Sequence, residues 1–333
     1  MNKFKSFFVV FLMFLFCFSC FAKERDVPAY SDTPYYFDKI GLFFTEGDYD
    51  FTLGLTQGYD NNARLNPERK RDGFTQVFLR SRLTTAINKK TDGILEHQIM
   101  NFHYYDADEL SLMRNEIRAG LEVDMKEDVA FMTNYRFGIT SYFDTDIDDF
   151  YDHSIEFKCK HDLPDNFYHS LGYELMFRFY EERKARDFFG ALADDVREDL
   201  RQTATYELGK FFTNDLLKLT FEYYYNNSND LFVHFYDYHN YNTTASLTHL
   251  FSEDLFGYLS FSRRFRSYCD RTLALDPGSA EWDRTYTGSA GLYYNLTENF
   301  TIGLNYSYRQ NWSNEPLARY SGSMCSLSAY YTF

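Results

Sequence analysis

From about Tyr49 onward the chain repeats one pattern, in which segments of roughly 10 to 16 residues alternate apolar and polar positions and are separated by short polar stretches. Leu217, Leu219, Phe221, Tyr223 and Tyr225 point one way along a strand, while Lys218, Thr220, Glu222 and Tyr224 point the other. Phe300, Ile302, Leu304, Tyr306 and Tyr308 repeat this against Thr301, Gly303, Asn305 and Ser307, as do Ile117, Ala119, Leu121 and Val123 against Arg118, Gly120, Glu122 and Asp124. A period of two is the mark of a β-strand with two different faces. The pattern predicts strands over 49–61, 74–88, 94–106, 115–126, 129–144, 149–162, 167–184, 199–212, 216–227, 234–251, 255–269, 283–296, 299–312 and 318–333. The faces are least distinct over 94–106, where His97, Asn101 and His103 blur them.

Alternation alone does not separate a soluble sandwich from a membrane barrel, but loop lengths do. One set of connections is short: Lys126-Glu127-Asp128, Pro164-Asp165-Asn166, Thr213-Asn214-Asp215, Ser252-Glu253-Asp254 and the neighbourhood of Glu298. The other set is longer and charged, at Asn62 to Gly73, Lys184 to Glu198 and Asp270 to Trp282. Short turns on one rim and longer loops on the other describe an outer-membrane barrel, and Greek-key sandwiches lack so regular a two-beat. The expected fold is therefore all-β: a transmembrane antiparallel up-and-down β-barrel of about 14 strands, within a range of about 12 to 16, an even count being the bacterial habit. Short turns would face the periplasm and the longer loops the exterior.

Composition supports the membrane. Aromatic residues make up 20% of the chain, with 36 Phe, 30 Tyr and 2 Trp, yet the mean hydropathy is −0.49. Tyr suits a boundary where one end of a ring is apolar and the other wet. No stretch of the mature chain is long and apolar enough for a membrane helix, so a membrane protein of this sequence has to be a closed barrel. Cys325, Leu327, Ala329, Tyr331 and Phe333 share one face of the last strand. Leu327, Ala329, Tyr331 and the aromatic terminal Phe333 read as the signal taken up by outer-membrane barrel-assembly machinery.

Residues 1–22 read as a secretory signal peptide. Lys3 and Lys5 make a basic start, Phe7 to Phe18 an apolar run, and Cys20 and Ala22 stand at positions −3 and −1 of a cut before Lys23. A lipoprotein would acylate Cys20, but Cys17 stands three before it where Leu is expected. Residues 23–48 form a lead segment on the periplasmic side or an extra strand, and 49–333 the barrel. Loss of two lysines and no acid takes the net charge from −15 to −17. So acidic a chain is not built to bind nucleic acid. Cys159, Cys269 and Cys325 are odd in number and well separated, which favours thiols over a disulfide framework.

Catalytic and metal constellations are not announced. There is no HExxH, GxSxG or CxxC. His234 and His239 fall in or near an outer loop with Asp237, and His153 and His161 at opposite ends of one strand. The expectation is no enzyme, no metal and no cofactor; an outer-membrane enzyme relying on His234 or His239 is the less favoured alternative. Asn-x-Ser/Thr triplets such as Asn242-Thr243-Thr244 read as plain polar residues.

Two stretches carry a resemblance. Ile40-Gly41-Leu42, Leu53-Gly54-Leu55, Gly58-Tyr59-Asp60-Asn61-Asn62 and Arg71-Asp72-Gly73-Phe74 form the first. The second is Leu296-Thr297-Glu298-Asn299-Phe300 with Asn305-Tyr306-Ser307-Tyr308-Arg309. These resemble outer-membrane β-barrel porin families, in particular the beta-barrel porin 2 type, in layout over most of the mature chain. The chain departs from that type's commoner Tyr-Asp-Asp-Asn opening in having Asn61 after Asp60. The resemblance implies fold and outer-membrane location more than a substrate.

If the apolar faces meet lipid, the inward residues include Arg80, Arg82, Arg118, Glu122, Arg136, Glu156, Lys158, Glu174, Arg178, Glu207, Lys218, Glu222, Arg264 and Arg266. Charged rings set selectivity in pores. The expectation is a porin-like channel passing small hydrophilic solutes by diffusion, its partners being outer-membrane lipid, the assembly machinery and the solutes. A barrel plugged by paired charges is the first alternative. A transporter of hydrophobic compounds using the aromatic 23–48 segment (Tyr35, Tyr36, Phe37, Phe43 and Phe44) is the second.

Overall fold

The computed structural model describes residues 49–333 apart from 145, 233, 274, 275 and 277. The signal-peptide and lead-segment expectations for 1–22 and 23–48 lie outside the described residues. Fourteen strands run in chain order: β1 (Tyr49–Asp60), β2 (Asp72–Asn88), β3 (Thr91–Tyr104), β4 (Leu112–Lys126), β5 (Val129–Tyr142), β6 (Phe150–Leu163), β7 (Phe167–Arg186), β8 (Leu192–Phe211), β9 (Asp215–Ser228), β10 (Tyr238–Leu250), β11 (Leu255–Thr272), β12 (Ala280–Thr297), β13 (Phe300–Ser313) and β14 (Tyr320–Thr332). Each pairs with its sequence neighbours, and β14 pairs with β1, so the sheet closes. Every pairing is antiparallel. Closure satisfies the backbone groups that an edge strand would expose.

The faces are inverted relative to a soluble protein. Leu53, Leu55, Tyr59, Ile117, Leu121, Phe221, Leu259, Phe261, Leu304 and Leu327 are exposed on the outer surface. Thr52, Thr56, Asp60, Glu96, Asp152, Glu207, Asn226 and Asn240 are buried on the inner one. A continuous apolar exterior is stable only against lipid, and a polar interior only against water or its own partners. No described helix is long and apolar enough to cross a membrane; the strands cross it. The protein is an outer-membrane β-barrel.

The closing seam is polar within and aromatic at its base. Thr52 and Thr332 hydroxyls lie 3.2 Å apart, and Thr56 and Ser328 2.8 Å apart. The Phe333 N–H donates to the Phe51 carbonyl, with the two rings 5.4 Å apart. Leu327, Ala329 and Tyr331 share the outer face of β14, aligned with Gln57, Leu55 and Leu53 of β1.

The short-turn rim has its own chemistry. In Pro164-Asp165-Asn166 the last two residues take φ of 62° and 61°, a left-handed backbone that Asp and Asn tolerate best among non-glycine residues. Just inside that rim Tyr168 is fully buried, its ring lying where a Cβ on Gly209 would stand 2.1 Å from Tyr168 Cε1. Only glycine on β8 leaves room for that ring. Phe256, Tyr293 and Tyr330, on β11, β12 and β14, form a separate inner aromatic cluster towards the same rim, packed by Leu250 and Tyr258.

Two expected loops are largely strand. The stretch 184–198 is a projecting hairpin: β7 runs to Arg186 and β8 starts at Leu192, leaving a tip closed by Gly190 at φ 85°. Likewise β11 reaches Thr272 and β12 begins at Ala280. Beyond the lipid both faces of a strand are wet, so alternation fades while backbone pairing continues. The reverse happens at 234–237, which is loop before β10. Over 94–106 the blurred faces resolve, because outward His97 donates from Nε2 to Asn115 Oδ1 on β4 at 2.9 Å.

Candidate functional site

Strand parity places the inner wall. On β4 the inward positions are Arg114, Glu116, Arg118, Gly120, Glu122 and Asp124, because Met113, Ile117, Leu121 and Met125 are the exposed ones. All fourteen candidate residues lie on this inner face: Arg80, Arg82 (β2), Arg118, Glu122 (β4), Arg136 (β5), Glu156, Lys158 (β6), Glu174, Arg178 (β7), Glu207 (β8), Lys218, Glu222 (β9), Arg264 and Arg266 (β11). The same parity carries charges missing from that set, including Glu96, Arg114, Glu116, Asp152, Lys160, Arg197, Asp199, Arg201 and Arg309. Extending each strand's parity to its ends would have found them.

Register sets like charges side by side. Arg118 stands opposite Arg136, and Glu156 opposite Glu174. Like charges directly opposite destabilise a sheet, so the bonds run to other neighbours. Arg136 Nη2 is 2.6 Å from Glu174 Oε1, reaching across β6. Arg118 donates to Asn134 Oδ1 at 3.2 Å, and Asn134 donates to Glu156 at 3.2 Å. Arg114 donates to both carboxylate oxygens of Asp152 at 3.1 Å, and Arg178 lies 3.8 Å from the same group. Lys158 and Lys218 flank Glu207 at 3.9 and 3.4 Å. Arg309 binds Asp60 beside the seam, where the Tyr104 hydroxyl also donates to Asp60 at 3.3 Å.

Each of these pairs joins strands one or two apart along the wall. With 14 strands spaced ~4.8 Å and tilted ~40°, the backbone cylinder is about 28 Å across. Side chains from opposite walls do not span that distance. Against β3–β9 the wall leaves a cavity of about 320 Å³, lined by five carboxylates (Glu96, Glu116, Glu156, Glu174 and Glu222) and two guanidiniums (Arg118 and Arg136). The rest of the inner wall is different: Thr244, Ser246, Ser260, Ser262, Thr285, Thr287, Ser289, Ser307, Ser326 and Ser328 give small hydroxylated surface on β10–β14.

Towards the long-loop rim the wall turns basic and aromatic. The Arg201 guanidinium lies 4.7 Å from the Tyr224 ring, and its Nη2 donates to the Tyr238 hydroxyl at 3.3 Å. Arg266 lies 4.6 Å from the Tyr238 ring. Above them, Asp237 in the β9–β10 loop accepts from Ser228 N–H at 2.7 Å and Asn227 at 2.9 Å. Burial nevertheless raises its pKa above the ordinary carboxylate value, outweighing those bonds and nearby His234.

The histidines predicted near the β9–β10 loop stand in different surroundings. His234 stands 3.5 Å from Asp237, whereas His239 is on the outer face, 2.9 Å from the Tyr223 hydroxyl. His153 bonds the Tyr135 hydroxyl at 2.6 Å and His161 meets His169 at 3.2 Å, at opposite ends of β6. Among the described residues no group of three or more His, Cys, Asp or Glu could hold a metal ion. Cys159, Cys269 and Cys325 lie on β6, β11 and β14 and form no disulfide.

No family model and no curated protein matches the sequence. Among solved structures the barrel is similar to in-vitro folded OmpT, an outer membrane protein of Vibrio cholerae, with a TM-score of 0.51 and 8% identity over 86% of this chain and 97% of that one. A Pseudomonas aeruginosa FadL homologue gives a TM-score of 0.49 and 8% identity over 88% and 92%. The TodX monoaromatic hydrocarbon channel, as a deletion mutant, gives 0.48 and 11% over 87% and 91%. At such identities the likeness concerns the fold.

Proposed function

We propose that the protein is a porin-like channel through which small hydrophilic solutes diffuse, with the inner charges lining the path. The observation that carries this reading is the direction of the ion pairs. Charges that bond along the wall leave the axis to water, whereas charges that close a barrel bond across it. The fourteen inward candidates from Arg80 to Arg266 are then the lining, and no covalent chemistry is involved. The five-to-two excess of carboxylates around the β3–β9 cavity gives the path a preference for cations, since a fixed ring of one sign raises the local concentration of the other. The outward row Leu327, Ala329, Tyr331 and Phe333 serves as the signal for the assembly machinery.

Purified full-length protein reconstituted in planar bilayers tests the channel. Discrete conductance steps with a cation-selective zero-current potential are expected in a salt gradient. A silent bilayer across salts and voltages would overturn the channel, leaving a plugged barrel. Steps with anion selectivity would overturn the role given to the carboxylates.

A further inference from the structure

The outer face of this barrel carries almost no charge. Leaving aside histidines, strand ends and the part of the β7–β8 hairpin above Leu200, the charged outward side chains among the described residues are Arg263 on β11 and Arg284 on β12. They are diagonal neighbours: Arg263 aligns with Tyr286, and Arg284 with Phe265. Both are exposed, and neither forms an ion pair with a described residue. Both tryptophans of the chain adjoin them. Arg284 lies 5.1 Å from the Trp282 ring and aligns across the sheet with Trp312 on β13, which is 57% exposed.

Their height is informative. Arg263 lies eight residues up β11 from Leu255 at the short-turn rim, about 21 Å along the axis for a strand rising ~3.4 Å per residue at ~40° tilt. That is the upper edge of an apolar band ~25 Å tall, where aromatic girdles and lipid headgroups meet. Directly below, the lipid-facing surface is hollowed. A groove of about 460 Å³ is lined by Ala245, Leu259, Phe261, Gly288, Ala290 and Tyr308. A Cβ added to Gly288 would meet nothing within 4 Å.

We propose that this patch binds a phosphate-bearing lipid of the outer leaflet, its phosphate held by Arg263 and Arg284 and one acyl chain lying in the groove. Guanidinium forks match phosphate geometry and are the donors of choice for it. Two of them placed together without a carboxylate, at headgroup height and above an apolar channel, are complementary to an anionic amphiphile and to nothing that is only charged or only apolar. The site is independent of whether the lumen conducts.

Native mass spectrometry of the full-length protein in neutral detergent tests it, with diphosphorylated lipid A, phosphate-free diacylglycerol and inorganic phosphate as probes. Wild type is expected to retain one lipid A. Arg263→Gln with Arg284→Gln should weaken retention by about tenfold or more, as loss of charged hydrogen bonds requires. Arg263→Lys with Arg284→Lys should retain most of it. Gly288→Leu, which fills the groove without touching charge, should weaken it by about fivefold through lost apolar contact. Folding of each variant is read from heat-dependent gel mobility. Should the double Gln variant not fold, Arg284→Gln alone and Gly288→Leu carry the test. Equal retention by the Gln variants, or equal retention of phosphate-free diacylglycerol by wild type, would overturn the phosphate assignment. Displacement of lipid A by inorganic phosphate, or no effect of Gly288→Leu, would overturn the acyl-chain assignment.

Discussion

Replacing Arg114 with Met should destabilise the barrel through what it leaves behind on the neighbouring wall. Arg114 makes five hydrogen bonds: two to Glu116 at 3.1 and 2.8 Å, one to Thr140 at 2.8 Å and two to Asp152 at 3.1 Å. The Asp152 side chain is 1% exposed, Glu116 14% and Arg114 23%. Breaking a buried pair by removing one partner costs about 3–5 kcal/mol when the other charge has no recourse. Asp152 does have recourse, in Arg178 at 3.8 Å, and Glu116 is partly wet. The expected loss is therefore about 2–3 kcal/mol, at or just below the lower limit of that range. With a urea dependence of about 2 kcal/mol per molar, the unfolding midpoint in detergent should fall by about 1 M. Asp152→Asn alone should cost less, because an amide left with Arg114 is still hydrogen-bonded. In the double variant position 152 carries no orphan charge, so the two losses should fall short of adding by about 1–2 kcal/mol. An unchanged midpoint for Arg114→Met, or losses that simply add, would refute the argument that these charges bond to the wall.

Tyr168→Ala should cost about 3 kcal/mol in the same unfolding assay, since a fully buried ring over Gly209 leaves a cavity that Gly209 has no side chain to fill. Glu222→Gln should lower the cation-to-anion permeability ratio about fourfold in dilute salt, from one unit charge acting at about 6 Å in water; an unchanged zero-current potential would remove Glu222 from the path. Asp237 gives a pH dependence to its loop. Its folded pKa is raised by burial above the ordinary 3.8, so its contribution to stability is fully present below that value and is lost as pH rises through the raised folded pKa. Amide exchange of residues 229–232 and 234–237 should therefore quicken as pH rises through that window, beyond the intrinsic rate. Asp237→Asn should remove this extra dependence, and persistence of it in that variant would assign it elsewhere.

Fold and faces were legible in the chain because the lipid imposes one rule on every membrane-spanning strand. Leu217 to Tyr225 alternates for that reason, as does Phe300 to Tyr308. The rule ends where the lipid does. This is why 184–198 and 270–282 read as loops although β7, β8, β11 and β12 extend into them, and why the pattern starts β10 four residues early. The inward identity of Arg118, Glu156 or Arg266 follows from parity and needs no structure.

What parity does not contain is register, since every alignment of two alternating strands offset by two residues satisfies it equally. Only the closed barrel decided that Arg118 faces Arg136 and Glu156 faces Glu174. The same register sends Arg114 across β5 to Asp152 and sets Arg284 beside Trp312. Sequence alone therefore determined which residues meet lipid and which meet the lumen, by a period of two imposed from outside. Tertiary structure alone decided which charges meet each other, because cross-strand neighbours are set by closure and shear around the whole ring.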